Sequence, residues 1–289
     1  MVNKFLVTPM SQKISLKAGE TYEGLITVAN PAASTEDFYF RVSVSPYSVS
    51  GENYVQDFST KSDWSRIVEW ITLDADGGKL APNETTKIGF KVKVPKDAPG
   101  GGQYAAIAIT SNNPAKENQN GTIQNIYEMA SLIFADIDGE TKHEGKVLEH
   151  QIPGFVASGK PTVVTKLSNE GNVHEIAKIK ISVKNNITGE IVSPGENDQG
   201  AVEAIIMPQS IRMFSQEISN LPALGVFEVS ESISYLNDEI NVSNIMIVCP
   251  IWFIVLVFAT IVSLISMVFY GRHLRHKKIK KINKENSDI

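Results

Sequence analysis

Hydrophobic and polar residues alternate with a period of two along most of the first 240 positions. In residues 37–45, Phe38, Phe40, Val42 and Val44 fall on one face and Tyr39, Arg41 and Ser43 on the other. Residues 87–94 repeat the pattern, with Ile88, Phe90, Val92 and Val94 set against Lys87, Lys91 and Lys93. Successive side chains of a strand point to opposite faces, so both segments read as strands with one dry and one wet side. Further strands are expected at 20–29, 70–73, 103–110 and 127–136, with turn chemistry at Ala18-Gly19, Asn30-Pro31, Gly77-Gly78, Pro82-Asn83 and Pro99-Gly100 between them. After a short polar stretch beginning at Asp138-Gly139, alternation resumes over 175–184, where Ile179, Ile181 and Val183 oppose Lys178, Lys180, Ser182 and Lys184. Phe227, Val229, Ile233 and Tyr235 line another strand. No segment in this part carries a 3.6-residue stripe of helical length. The expected fold class is all-β: two tandem immunoglobulin-like β-sandwiches, over 1–138 and 146–240, without the Cys…Trp…Cys signature. Pro99 to Gly102 before Tyr104, and Pro222 with Gly225 before Phe227, hint at an internal duplication.

The pattern changes at residues 245–270, a run without charge. A hydrocarbon layer of roughly 30 Å takes about 20 apolar helical residues, so this run is expected to be a single transmembrane helix. Trp252 and Tyr270 lie where amphipathic rings favour the headgroup level, and Pro250 falls in the first turn, where a missing N–H costs little. Arg272, Arg275, Lys277, Lys278, Lys280, Lys281 and Lys284 follow at once, so 271–289 is expected to be a basic cytoplasmic tail with the sandwiches outside the plasma membrane. Residues 1–13 offer only Phe5, Leu6 and Val7 as an apolar core, too little for a signal peptide. Either the leader precedes this start, or it has been removed, or the protein is tail-anchored with its sandwiches in the cytosol; a missing leader is the preferred expectation.

Charge and cysteine usage narrow the class. Residues 1–244 carry 20 Lys and Arg against 30 Asp and Glu, a balance that speaks against nucleic acid as a partner. The one cysteine, Cys249, falls in the apolar run, so both sandwiches depend on core burial alone. Small outward-facing β domains of animal cells are usually stapled by disulfides, and their absence favours a bacterial surface with a thick wall.

Catalytic chemistry finds little footing. Outside the apolar run there is no thiol, and His143, His150 and His174 are the histidines of the outer part, the first two in or beside the inter-domain stretch. No catalytic residue, no metal site, no cofactor and no small-molecule substrate is expected. Asp74-x-Asp76-Gly77 and Asp136-x-Asp138-Gly139 resemble fragments of calcium loops but lack the distal Glu and sit where strands should turn. Gly100-Gly101-Gly102 could bring backbone close to a phosphate, yet no helix follows it. Solvation and resistance to edge pairing account for the lysine stripes. The long segment 45–66 stands out, carrying Tyr47, Tyr54, Phe58 and Trp64 among Ser, Gly, Asn and Asp. Exposed aromatics on such a loop suit sugar rings or an extended peptide, and these four are the candidate binding residues; the alternative is that they fold back to cap one end of the sandwich.

The order of parts, with KAGETYEGLITVAN at 17–30, VPKDAPGGGQY at 94–104, LSNEGNV at 167–173, MPQSIR at 207–212, one span and a lysine-rich tail, resembles the WxL-interacting surface proteins of Gram-positive bacteria. That resemblance implies a first domain that contacts peptidoglycan and a second that contacts a partner surface protein or host matrix. It transfers no individual residue. The expected function is a non-enzymatic, membrane-anchored adhesion or scaffold protein. The alternative is a tail-anchored cytosolic adaptor whose first sandwich looks like a major-sperm-protein domain binding short peptides.

Overall fold

A computed structural model of the chain describes residues 5–112, 126–192 and 201–285. The first sandwich runs through β1 (Leu6–Thr8), β2 (Ser11–Leu16), β3 (Thr21–Ala29), β4 (Phe38–Pro46), β5 (Ser48–Ser50), β6 (Val55–Asp57), a 3-10 segment at Asp63–Glu69, β7 (Ile71–Leu73), β8 (Gly77–Leu80), β9 (Thr85–Lys93), β10 (Gly101–Ser111) and β11 (Glu128–Ile137). The second holds β12 (Gly145–Gln151), β13 (Phe155–Val156), β14 (Thr162–Asn169), β15 (Glu175–Asn185), β16 (Ile191–Val192), β17 (Ala201–Ile206), β18 (Ser210–Glu217), β19 (Gly225–Tyr235) and β20 (Asp238–Val248), followed by one helix, α1 (Ile251–Glu285). The all-β expectation of two immunoglobulin-like sandwiches and one apolar helix holds.

Both units are built on the same plan. In the first, the sheets are β1-β3-β9-β7 and β2-β11-β10-β4-β8. In the second, they are β12-β14-β18 and β13-β20-β19-β15-β16, with β17 also on β15. Each unit opens with a strand that changes sheets: β1 and β12 pair antiparallel in one sheet, while β2 and β13 pair parallel with the last strands, β11 and β20, of the other. A buried asparagine ends the equivalent strand in both. Asn30 Nδ2 donates to the carbonyls of Glu36 and Leu80 at 3.0 and 3.1 Å, and Asn169 Nδ2 to those of Val173 and Ile206 at 2.8 and 2.9 Å. An amide side chain has enough donors to satisfy one loop carbonyl and one carbonyl at the end of a strand, β8 or β17, at once. The two units thus share a plan of strands and this asparagine contact. The aromatic pair Tyr104 and Phe227 is out of register, since β10 and β19 begin at Gly101 and Gly225 and the aromatics fall three and two residues later. A one-residue slip turns a side chain to the opposite face. Accordingly, Phe227 lies in the core of its sandwich and Tyr104 on the outer side of its own.

The first core is one cluster in which Phe38, Phe40, Val42, Ile88, Phe90, Val92 and Val94 are buried, as their alternation requires. Phe90 lies across Gly24, where a Cβ would come within 2.3 Å of the ring. The second core is split into two clusters. Between Val229 and Ile233 on the inward face of β19 stands Glu231, 1% exposed, which accepts a hydrogen bond from the Thr165 hydroxyl on β14 and leaves Oε2 without a partner among the described residues. Burial pushes its carboxyl above the ordinary range, with Thr165 pulling the other way.

Two expectations need correction. The apolar run was expected to be helical from Ile245, but Ile245 to Val248 complete β20, and α1 starts at Ile251. Ile245 and Ile247 on the exposed face of β20 are as apolar as Met246 and Val248, so this stretch has no polar alternation to distinguish it from a helix. The basic tail over 271–289 continues α1 to Glu285, and 286–289 lie outside the described residues. The lysine stripes do not guard sheet edges either, because β9 lies between β3 and β7 and β15 between β19 and its β16 and β17 partners. Solvation remains their reason, helped by ion pairs such as Lys91 with Glu23 at 2.7 Å and Lys178 with Glu203 at 2.6 Å.

Because the folded state raises the Glu231 pKa, the cost of keeping it ionised is present at neutral pH and disappears below about 4.5, where the group is protonated folded or unfolded. Glu231→Gln keeps an acceptor for Thr165 and removes the charge. It should stabilise the protein by roughly 1–3 kcal/mol at neutral pH. Urea denaturation of the detergent-solubilised chain, followed by circular dichroism, should show that gain vanish in acid.

Candidate binding site at the junction of the two sandwiches

The segment 45–66 leaves the first sandwich as a hairpin arm, β5 paired with β6, and returns through the 3-10 segment. Gln103 fixes the return: its Oε1 accepts the Ile67 N–H at 3.2 Å and its Nε2 donates to the Asp63 carbonyl at 2.9 Å. The arm thereby folds over the outer face of β10 and β11, which explains why β10 is buried on both faces from Gly101 to Ile109. All four aromatics predicted from the sequence come together there. Tyr47 is buried, and Tyr54, Phe58 and Trp64 are half-buried, in one cluster with Tyr104, Phe134 and Met207. Tyr47 meets Phe58 with ring centroids 5.7 Å apart and Phe134 at 5.9 Å, in tilted and edge-on geometries that favour aromatic pairs.

Met207 belongs to the second sandwich, so the arm spans both units. The Tyr54 hydroxyl accepts the Met207 N–H at 3.0 Å, and the Arg212 guanidinium lies 4.1 Å from the Tyr54 ring centroid. Burial holds the Tyr54 hydroxyl well above its ordinary pKa. Glu52 accepts the Met213 N–H on its carbonyl at 2.8 Å and pairs with Lys166 through its carboxylate at 2.9 Å. To make these contacts Tyr54 adopts φ 58°, a left-handed conformation that costs a non-glycine residue energy and persists where the side chain is held on several sides.

The second half of the junction is the turn after β14. Asn172 donates from Nδ2 to the Glu140 carbonyl at 2.8 Å, accepts the Lys142 N–H on Oδ1 at 2.6 Å and the Gly102 N–H on its carbonyl at 2.7 Å, and donates its own N–H to the Lys142 carbonyl at 3.0 Å. One residue thus ties the linker and both sandwiches. The glycine run meets the chain itself rather than a phosphate: a Cβ on Gly100 would lie 2.6 Å from the Glu140 nitrogen of the linker, and one on Gly101 would lie 2.8 Å from the Asn172 oxygen of this turn. Sequence reasoning recognised that backbone could approach there and missed that the visitor is the chain's own LSNEGNV turn.

His174 completes the contact. Its side chain is 8% exposed, edge-on to Tyr104 and tilted against Phe134. The Tyr104 hydroxyl accepts the His174 backbone N–H at 2.8 Å and stands 3.3 Å from Nδ1. Its hydrogen can point at Nδ1, an assignment that puts the ring proton on Nε2. Asp136 Oδ1 is 3.7 Å from Nδ1, beyond hydrogen-bond length. Burial pulls the His174 pKa below its ordinary value, Asp136 opposes this, and Lys13 adds to it. Among the described residues no group of three His, Cys, Asp or Glu comes together as a metal would require. Asp136 Oδ1 is buried without a hydrogen-bond partner among the described residues, while Tyr54, Phe58 and Trp64 each keep part of their surface exposed.

No protein-family model matches this chain, and no curated protein matches it. Among solved structures it is similar to the class 5 fimbriae chaperone CfaA, at 15% identity over 86% of this chain and 100% of that one, with a TM-score of 0.39. It is also similar to the CsuC-CsuE chaperone-tip adhesion subunit pre-assembly complex from archaic Csu pili of Acinetobacter baumannii, at 13% identity over 83% and 97% and a TM-score of 0.40. The E. coli chaperone DraB gives 12% identity over 82% and 96%, with a TM-score of 0.37. Likenesses at such scores say nothing about what this chain binds.

Tyr104→Phe removes the acceptor of a buried N–H and should weaken the docked state by about 1–3 kcal/mol, read as lost hydrogen-exchange protection at Gly102 and His174. Because folding depresses the His174 pKa, the docking stability is fully present above about 6.5 and is lost as pH falls through the folded value. Protection at the same amides, referred to free-peptide rates, should drop on acidification in the wild type.

Proposed function

We propose that this chain is a non-enzymatic, membrane-anchored surface protein of the WxL-interacting kind. In this reading α1 crosses the plasma membrane once, the sandwiches lie outside, the basic tail lies in the cytoplasm, and the partner is a wall polymer such as peptidoglycan or another surface protein. The observation that carries the reading is the absence of slack between the parts: the sandwiches are clamped through Asn172, His174 and Tyr54, and only Cys249 and Pro250 separate β20 from α1. Such a build holds a surface in a set attitude, which suits presentation and capture. Phe58 and Trp64 are the proposed contact, with Tyr47 and Tyr54 bracing the arm that displays them.

Protease added to intact cells should remove both sandwiches; their survival would favour the cytosolic tail-anchored adaptor. Purified cell wall should retain the detergent-solubilised chain. Trp64→Ala should lower that retention at least about tenfold, the effect of losing one aromatic anchor worth roughly 1.4 kcal/mol or more. Equal retention of both forms would remove the aromatic edge from the reading, and no retention of either would remove the wall.

A further inference from the structure

The end of the second sandwich nearest α1 is unlike the rest of its surface. Three segments converge there: 154–159 (GFVASG), 221–226 (LPALGV) and 245–252 (IMIVCPIW), none of which contains a charged residue. Strand pairing brings them side by side, Phe155 opposite Ile247 and Val156 opposite Val248 in one direction, Val226 opposite Ile247 and Gly225 opposite Val248 in the other. Phe155 and Ile245 are each 55% exposed, and Leu224, Ile247 and Trp252 are also open to solvent. A cavity of about 420 Å³ beside them is lined by Val156, Pro161, Leu221, Pro222, Ile251 and Trp252, so the first turn of α1 forms one of its walls.

The distance to the bilayer follows from chain geometry. From Ile251 to Tyr270, helix at roughly 1.5 Å per residue comes to about 30 Å, the thickness of the hydrocarbon layer. Ile251 therefore marks the hydrocarbon boundary. Val248 stands three residues before it and is already tied into the sheet, while Cys249 N–H donates to the Val156 carbonyl at 2.9 Å. Three residues reach at most about 10 Å when fully extended, comparable with a headgroup layer roughly 5–8 Å deep on each side.

We propose that this charge-free base is a lipid-contact surface, seated in the headgroup layer of the leaflet from which α1 emerges. The proposal rests on the reading that α1 spans a membrane. Lipid is the occupant because the patch is continuous with the span and within two residues of it. Side chains such as Phe155 and Leu224, costly in water, reach the headgroup and acyl boundary without any further chain. Trp252 sits at the level that indole rings favour. The sandwich is then held to the bilayer at two places, by α1 and by its own base, and it cannot swivel freely on the helix.

The test is spin-label accessibility in the full chain reconstituted into phosphatidylcholine–phosphatidylglycerol vesicles. On a Cys249→Ser background, single labels are placed by Phe155→Cys, Leu224→Cys, Ser234→Cys and Val262→Cys. Collision with a water-soluble nickel chelate should be at least about fivefold lower at 155 and 224 than at 234, as expected for groups sunk roughly 5–10 Å into the interface. A label at 262 shielded from nickel while 155 and 224 are as accessible as 234 would overturn the seated base and leave the span intact. Free access of nickel to 262 would overturn the span, and the seated base with it.

Discussion

Close approach of two backbones governs the arrangement of this protein. Gly101 presents no side chain where the turn at Asn172 arrives and Gly100 none where the linker passes at Gly139 and Glu140, and the Asn172 amide then satisfies linker groups that would otherwise be stranded. Beside that contact His174 meets the Tyr104 hydroxyl, and the Tyr54 arm meets Met207 and Arg212. The aromatic cluster is large and apolar, but its position is set by hydrogen bonds that no Cβ would tolerate. Hydrophobic burial supplies attraction without direction, and the glycines and Asn172 supply the direction.

The two sandwiches share a plan and differ in how firmly they are filled. The first has an unbroken core in which Phe90 settles across Gly24. In the second, Glu231 and Thr165 interrupt the apolar layer, and the two halves of the core meet across a carboxyl that burial disfavours in its charged form. The better-packed unit carries the arm, and the unit with the polar interruption carries the helix.

The fold was legible wherever one face of a strand is wet. The alternation at Phe38 to Val44 and at Ile179 to Val183 placed those side chains correctly because water and core impose opposite demands on neighbouring residues. It failed at Ile245 to Val248, where apolar residues occupy the exposed as well as the inner face of β20 and the strand merges into the helix in any hydropathy pattern. The aromatics of 45–66 were visible as a group, but their direction was not. Their partners Tyr104, Phe134 and Met207 lie far away in sequence, and a single chain gives no sign of such pairings. Asn30 closes the phrase at 17–30 and Asn169 lies inside LSNEGNV, yet their shared task of bonding one loop carbonyl and one strand-end carbonyl depends on segments that only the folded chain brings together. The serial glycines announced a tight approach without naming what approaches.

The junction between β20 and α1 also decides how tension would travel through the molecule. β20 is eleven residues long and is hydrogen-bonded along its length to β19, with β13 joining on its other side near the helix. A pull along the strand must slide these rows past one another all at once, because none can be peeled open singly. Shear of that kind resists far more force than unzipping of the same bonds. Load on α1 along the strand is thereby passed into the sheet of the second sandwich as a whole.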